Sequence, residues 1–179
     1  IAEMSEQQEV LKLAIKELSP SEGLIAKGLT GFINQFVKQI NSFISKIWLY
    51  PLELIPIIPD EQESIDLDYK FSVRINDSYD ITDISKGSAA MREIIDLAFR
   101  IVSAAYLDLT DAPIVLDEFA ASMDKEHRKS AFYVISNLMS TSSFSQIFIV
   151  SHFDEMHGSL VNADINILSA SGTTVPSNS

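Results

Sequence analysis

The chain has no cysteine among its 179 residues. That excludes thiol catalysis, disulfide cross-links and cysteine-ligated zinc or iron–sulfur centres. Histidine is scarce too, with three residues and no H-E-x-x-H pattern, which argues against a catalytic zinc site. Basic residues are few: 13 Lys and Arg stand against 25 Asp and Glu, for a formal charge of −12. Phosphate neutralisation needs clustered Lys and Arg, so strong nucleic-acid binding by this chain alone is not expected. No segment reaches the roughly 20 uninterrupted apolar residues that span a bilayer. The nearest stretch, 47–58, carries Glu53 and is interrupted or flanked by Pro51, Pro56 and Pro59. No basic cluster followed by an apolar run opens the chain, so no secretory signal is legible, and the cytoplasm is the expected compartment.

What is present belongs to a folded chain. A hydrophobic share of 46% with 21% charged residues is enough apolar surface to build a core and rules out disorder as the main state. The length suits one domain or one lobe of a larger one. The first residue is Ile1 rather than Met, and the chain is expected to be a piece of a longer polypeptide.

Hydrophobic spacing organises the sequence. Residues 4–18 are rich in Glu, Gln and Lys, with Leu11, Ile15 and Leu18 on one stripe, and read as a helix at the end of a coiled coil. Ser19-Pro20-Ser21-Glu22 breaks and restarts the chain, with Ser19 as helix cap, Pro20 at the first helical position and Glu22 at the third. Leu29, Phe32, Ile33, Phe36, Val37, Ile40, Phe43, Ile44, Ile47 and Trp48 recur at helical intervals and predict a long helix over 23–50. The prolines of 51–59 end it, and 60–64 reads as a loop. Tyr69, Phe71, Val73 and Ile75 alternate as in a strand, turned by Asn76-Asp77-Ser78. A polar loop over 81–88 leads into a predicted helix at 89–107. The apolar runs 114–116 and 147–150 read as strands around a helix at 125–139. A last short strand is expected at 165–168 and a frayed tail from 169. Short apolar strands alternating with helices predict an α/β fold with a mainly parallel sheet flanked by helices.

Ligands in open α/β sheets bind beyond the carboxyl ends of the strands. Two strands end there in titratable residues, Asp117-Glu118 and Ser151-His152. An aspartate after a buried strand is how P-loop proteins hold Mg²⁺, a following glutamate can orient or deprotonate water, and a histidine beside them can stabilise developing charge. Read singly, the acidic pair is also a helix-starting turn and His152 also a structural residue. Ile84-Ser85-Lys86-Gly87-Ser88 precedes a long helix whose N-terminus offers free N–H groups to an anion, or is a cap with a glycine turn.

Taken in order, these segments resemble an ABC-type ATPase, specifically the SMC-like branch of DNA repair and recombination that includes SbcC and RecN, and among these the phage recombination-endonuclease ATPase subunits. The resemblance covers nearly the whole chain. It implies that Ser85, Gly87 and Ser88 form the signature loop that touches the γ-phosphate held by an opposing subunit. Asp117 corresponds to the Mg²⁺-coordinating Walker B aspartate, Glu118 to the catalytic glutamate, Ala121-Ser122-Met123-Asp124 to the D-loop and His152 to the switch histidine. Two departures stand out. Lys86 and Ser88 replace a glycine and the final polar residue of Leu-Ser-Gly-Gly-Gln/Glu, and the stretch to Walker B is longer, at 106–111.

No G-x-x-x-x-G-K-[ST] occurs; Gly23, Gly28 and Gly31 lie in a helical stretch without the Gly-Lys pair. The family splits its head into an N-terminal Walker A lobe and a C-terminal lobe joined by a long coiled coil. The resemblance therefore implies a C-terminal lobe at 19–170, a coil end at 1–18 and a flexible tail at 171–179. Implied cofactors are ATP and Mg²⁺. Implied partners are the Walker A lobe of the same protein, a second head in a homodimer, DNA through the complete assembly, and a nuclease subunit. The implied activity is ATP hydrolysis; the alternative is a non-hydrolysing structural or DNA-tethering module that uses nucleotide only to dimerise.

Overall fold

The computed structural model describes residues 2–19, 23–56, 71–76, 81–141, 143–153, 160, 163–164, 166–168 and 174–176. In chain order these contain α1 (Ala2–Glu17), α2 (Leu24–Ile47), β1 (Leu52–Pro56), β2 (Phe71–Ile75), β3 (Ile81–Asp83), a 3-10 turn (Ile84–Lys86) and α3 (Ala89–Tyr106), followed by β4 (Ile114–Leu116), α4 (Lys125–Ser140), β5 (Ile147–Ile149), β6 (Asn166–Leu168) and β7 (Thr174–Pro176). The chain divides into two units, residues 1–45 with 50–87 and residues 46–49 with 88–179.

In the first unit, α2 buries Phe36, Val37, Ile40, Phe43 and Ile44, while Leu29 and Phe32, nearer its start, stay exposed. The expected stripe is therefore a core face only along its second half. Before α2 begins, Gly23 packs so closely that a Cβ would collide with the carbonyl oxygens of Glu17 and Ser19. All the apolar side chains of α1 named as its stripe, Leu11, Ile15 and Leu18, are exposed.

The segment after α2 is a strand, not the linker its prolines suggest. Leu52 and Leu54 are buried on either side of exposed Glu53, a period-two pattern. Pro56 ends the strand, where its missing N–H costs little. β1, β2 and β3 pair antiparallel in that order, with Leu54 opposite Val73 and Val73 opposite Thr82. Thus 81–83, expected as loop, completes a sheet. β1 is an edge strand, and the Asn41 amide caps it: Nδ2 donates to the Leu54 carbonyl and Oδ1 accepts from the Leu54 N–H, each at 2.8 Å. One side chain thereby satisfies an edge peptide that would otherwise be open to pairing. The expected cap at 19–22 and turn at 76–78 fall partly, and the loop at 60–64 wholly, outside the described residues.

The second unit is built on two amphipathic helices. α3 buries Ile94, Ile95, Leu97, Ala98, Ile101 and Val102, and α4 buries Ala131, Phe132, Val134 and Ile135. Phe119, from the loop between β4 and α4, meets Phe132 edge to face at 5.2 Å. β4 and β5 pair parallel, Ile114 opposite Ile147 and Leu116 opposite Ile149. Among the described strands this is the parallel pair; β6 and β7 pair antiparallel, and the described strands form three separate small sheets, two of them antiparallel, in place of the single mainly parallel sheet that the alternation of elements implied. β7 also places a paired strand inside the stretch expected to be a flexible tail.

Asp124 starts α4. Its Oδ1 accepts from the backbone N–H groups of Glu126 and His127, both at 3.0 Å, satisfying two donors that a helix start leaves orphaned. Its Oδ2 lies 2.7 Å from Nδ1 of His127. His127 is buried and stacks on Trp48 at 4.1 Å, and its Nε2 accepts a long bond from the Leu49 N–H at 3.4 Å. Nε2 as acceptor assigns the proton to Nδ1, which donates to Asp124. The His127 backbone N–H, then its ring, hold the Asp124 carboxyl below the ordinary value of 3.8. A depressed carboxylate pKa contributes stability above the unfolded value, lost as pH falls through the folded one. Urea unfolding of the chain should therefore show a stability loss below about pH 3.8 that is smaller in Asp124→Asn, whose amide oxygen keeps the cap. Asp124→Ala should cost about 1–2 kcal/mol at neutral pH.

Candidate functional site

Parallel pairing sends β4 and β5 out of the sheet at the same edge. The ladder continues one bond past the strands, from the Val150 N–H to the Leu116 carbonyl at 2.9 Å. Asp117-Glu118 and Ser151-His152 therefore leave from neighbouring positions on lines about 4.8 Å apart. Asp117, Glu118 and His152 are all exposed.

The turn after β4 sorts polar from apolar side chains. Phe119, Ala120 and Met123 are buried, whereas Glu118, Ala121, Ser122 and Asp124 face solvent. That alternation requires sharp reversals, and Glu118 and Ala120 supply them with φ of 49° and 63°, a left-handed conformation that L residues adopt rarely. Two tight turns close it: Ala121 N–H to the Glu118 carbonyl at 3.1 Å and Met123 N–H to the Ala120 carbonyl at 3.2 Å. Glu93 of α3 reaches the same turn. Its Oε1 accepts from the Ala120 N–H at 2.5 Å and its Oε2 from the Ser122 N–H at 3.3 Å and the Ser122 hydroxyl.

The turn after β5 is fixed differently. Ser151 Oγ accepts from the Phe153 N–H at 3.3 Å, and the Arg128 guanidinium of α4 lies over the Phe153 ring, 3.6 Å from its centroid, a cation–π contact. His152 leans on Phe153 at 4.3 Å and keeps its edge in solvent.

The remaining candidates divide between the two units. Ser88 belongs to the second unit and caps α3, its Oγ accepting from the Met91 N–H at 3.2 Å. Ser85 and Gly87 belong to the first, in and just after the 3-10 turn, where the Ser85 N–H donates to Asp83 Oδ1 at 2.7 Å. The residue at the mouth of the long helix is thus Ser88, and Ser85 lies a turn earlier. Asp124 spends its carboxylate on α4 and His127, as described. Neither Glu93 nor His127 carried a sequence signal of function. The Asp-x-x-His spacing of 124 and 127 is a local capping clue to the second, but nothing near Glu93 marks its contact 27 and 29 residues away.

A divalent cation fits this edge as hard-ion chemistry predicts. Among the described residues no group of three or more His, Asp or Glu could hold a metal. A lone exposed aspartate suits Mg²⁺, which keeps its waters and takes its other ligands from substrate phosphates. A shallow groove of about 350 Å³ along β1, lined by Lys38, Glu53 and Arg74 among others, lies in the first unit and contains none of the candidate residues.

No family model matches the sequence, and no curated protein matches it. Solved structures do. An SMC ATPase described for ATP-driven dimerisation and DNA-stimulated activation is 18% identical at a TM-score of 0.56, over 82% of this chain and 86% of that one. The Smc head of Pyrococcus furiosus, with an extended coiled coil and bound to the C-terminal domain of ScpA, is 15% identical at 0.54, over 89% and 39%. The SMC head domain of Thermotoga maritima is 14% identical at 0.52, over 82% and 48%. The chain thus spans less than half the length of the two head chains and most of the first. Among the described helices none is long and apolar enough to cross a membrane. With sequence identity this low, what is shared is architecture: the chain has the fold of SMC ATPase head domains.

Proposed function

We propose that this chain is the C-terminal lobe of an SMC-like ATPase head, hydrolysing ATP at a composite site together with a Walker A lobe, in cytoplasmic DNA repair or recombination. The observation that supports the reading is the shared exit edge of β4 and β5, from which the segments carrying Asp117, Glu118 and His152 both leave. Mg²⁺, when bound, would supply positive charge to offset the phosphates. Asp117 would hold the ion, Glu118 would orient and deprotonate the attacking water, and His152 would stabilise the charge that develops on the phosphoryl oxygens. Ser85, Gly87 and Ser88 face the γ-phosphate of a second head, and Asp124, in the D-loop, joins them among the cofactor-binding residues. A nuclease subunit and DNA would engage the complete assembly, and α1 would continue into the coil.

A second observation supports the missing lobe. On one face of the β4–β5 pair Val115 is 56%, Phe148 49% and Val150 54% exposed, whereas parallel sheets are ordinarily covered on both faces. The Walker A lobe is the occupant this reading assigns to that face.

In a head completed with the Walker A lobe, Glu118→Gln should retain ATP binding and lose at least ~100-fold in turnover; phosphate release at the wild-type rate would remove Glu118 from its role. Negligible release by the unaltered head would favour the non-hydrolysing alternative. Ser85→Arg and Ser88→Arg should each block ATP-driven head engagement, read by sedimentation, while leaving nucleotide binding intact. Normal engagement by the first but not the second would place the signature contact on Ser88 alone. Phe148→Glu should weaken association of the two lobes at least ~10-fold in a titration, with the lobe itself still folded.

A further inference from the structure

α3 presents Glu93 one residue before buried Ile94, a position where a glutamate ordinarily points into water and contributes only solubility. Here it is half-buried, and its two oxygens collect three donors from the turn that follows β4: the Ala120 N–H, the Ser122 N–H and the Ser122 hydroxyl. Bonds to an ionised carboxylate are stronger than neutral ones, and these converge on the one strained stretch near the proposed acids. Glu118 and Ala120 both have positive φ. Non-glycine residues stay in that region only where the surroundings over-determine it. Ala120 is fully buried and its bond to Glu93 part-buried, so without Glu93 its N–H would lose this charged acceptor, and rotation of the 119–120 peptide would become an alternative way to satisfy it. Such a rotation would re-aim Glu118, one peptide away. The hydrophobic anchors of the turn, Phe119 against Phe132, do not depend on Glu93, so the fold should survive its loss.

We propose that Glu93 is a positioning residue: its carboxylate clamps the 118–122 turn in the left-handed geometry that aims Glu118 at the attacking water. The proposal rests on the water-activating role assigned to Glu118 above. Because α3 begins at the signature Ser88, the clamp also ties the helix that caps one nucleotide to the loop that serves the other.

The test uses Glu93→Ala and Glu93→Gln in the head completed with the Walker A lobe. Hydrogen exchange reports the clamp without reference to catalysis. In Glu93→Ala the Ala120 and Ser122 amides should exchange about 10-fold faster or more, with Ile94 and Ile135 amides unchanged. The kcat for ATP should fall about 10-fold in the alanine variant, less in Gln, which keeps one acceptor oxygen, with KM unaltered in both. In a Glu118→Gln background, Glu93→Ala should cause no further loss, because both changes remove the same contribution. Unchanged exchange at Ala120 and Ser122 overturns the clamp whatever the ATPase shows. Faster exchange with wild-type kcat, where Glu118→Gln is inactive, overturns the positioning role. So does a general loss of protection that includes Ile94 and Ile135, which would make Glu93 a fold-stabilising residue only. If Glu118→Gln hydrolyses ATP normally, the assignment of Glu118 has failed and the positioning role falls with it, while the exchange result still decides the clamp.

Discussion

The direction in which β5 runs beside β4 is the constraint on which the site depends. Each strand has three residues. Were they antiparallel, Asp117 and His152 would leave from opposite ends, roughly 10 Å apart at about 3.3 Å per residue, with the strand bodies between them. Run parallel, both leave at one edge, and no side chain has to reach. A pair this short has little stability of its own. It is held by what lies beneath it: Leu116 sits in the same buried set as Phe119, Phe132 and the inner faces of α3 and α4. The proposed chemistry would therefore be positioned by packing that takes no part in it.

The turn after β4 shows how such packing is converted into a site. Phe119, Ala120 and Met123 point in while Glu118, Ser122 and Asp124 point out, and no regular element has that pattern over so few residues. The price is two left-handed residues that are not glycine. Two anions stabilise the result from either end, Glu93 accepting from the middle of the turn and Asp124 accepting from the start of α4. Backbone N–H groups of Ala120, Ser122, Glu126 and His127, freed by the irregular geometry and the helix start, become donors to carboxylates. Strain of this kind, where local preference gives way, is what a functional loop on a rigid scaffold is expected to show.

Much of this was legible because apolar residues repeat. The stripes of α2, α3 and α4 and the runs Ile114-Val115-Leu116 and Ile147-Phe148-Ile149 declare themselves locally, and their polar ends point to Asp117, Glu118 and His152. β1 was hidden because Pro51 and Pro56 read as breakers, although Leu52 and Leu54 alternate correctly around Glu53. β3 and β7 are three residues long and are defined by their partners more than by their own sequences. Asn41 and Glu93 were illegible for a different reason. Each looks like any polar residue on a solvated helix face, and only the backbone brought to it from afar, Leu54 in one case and Ala120 in the other, makes it specific. The placement of Ser88 rather than Ser85 at the cap of α3 likewise needed the backbone: Ser85 lies inside the 3-10 turn capped by Asp83, whereas Ser88 caps the helix that continues.

A site built from these residues alone would be hostile to its own substrate. The chain carries a net charge of −12, and the edge of β4 offers two carboxylates to a ligand that is itself a polyanion. Like charges 4 Å apart near a protein surface repel by about 4 kcal/mol, so ATP has no reason to settle there unless cations intervene. On the proposed reading, a divalent ion held by Asp117 would reverse the sign locally, and the phosphate-cradling backbone and lysine of a Walker A loop would supply the rest. Half-sites of this composition would, on the same reading, bind nucleotide weakly apart and favourably together, which would make assembly a condition of catalysis rather than an accessory to it. On that reading the exposed apolar face formed by Val115, Phe148 and Val150 would give the lobes a reason to meet, and the acidic edge beside it would give nucleotide a reason to wait until they have.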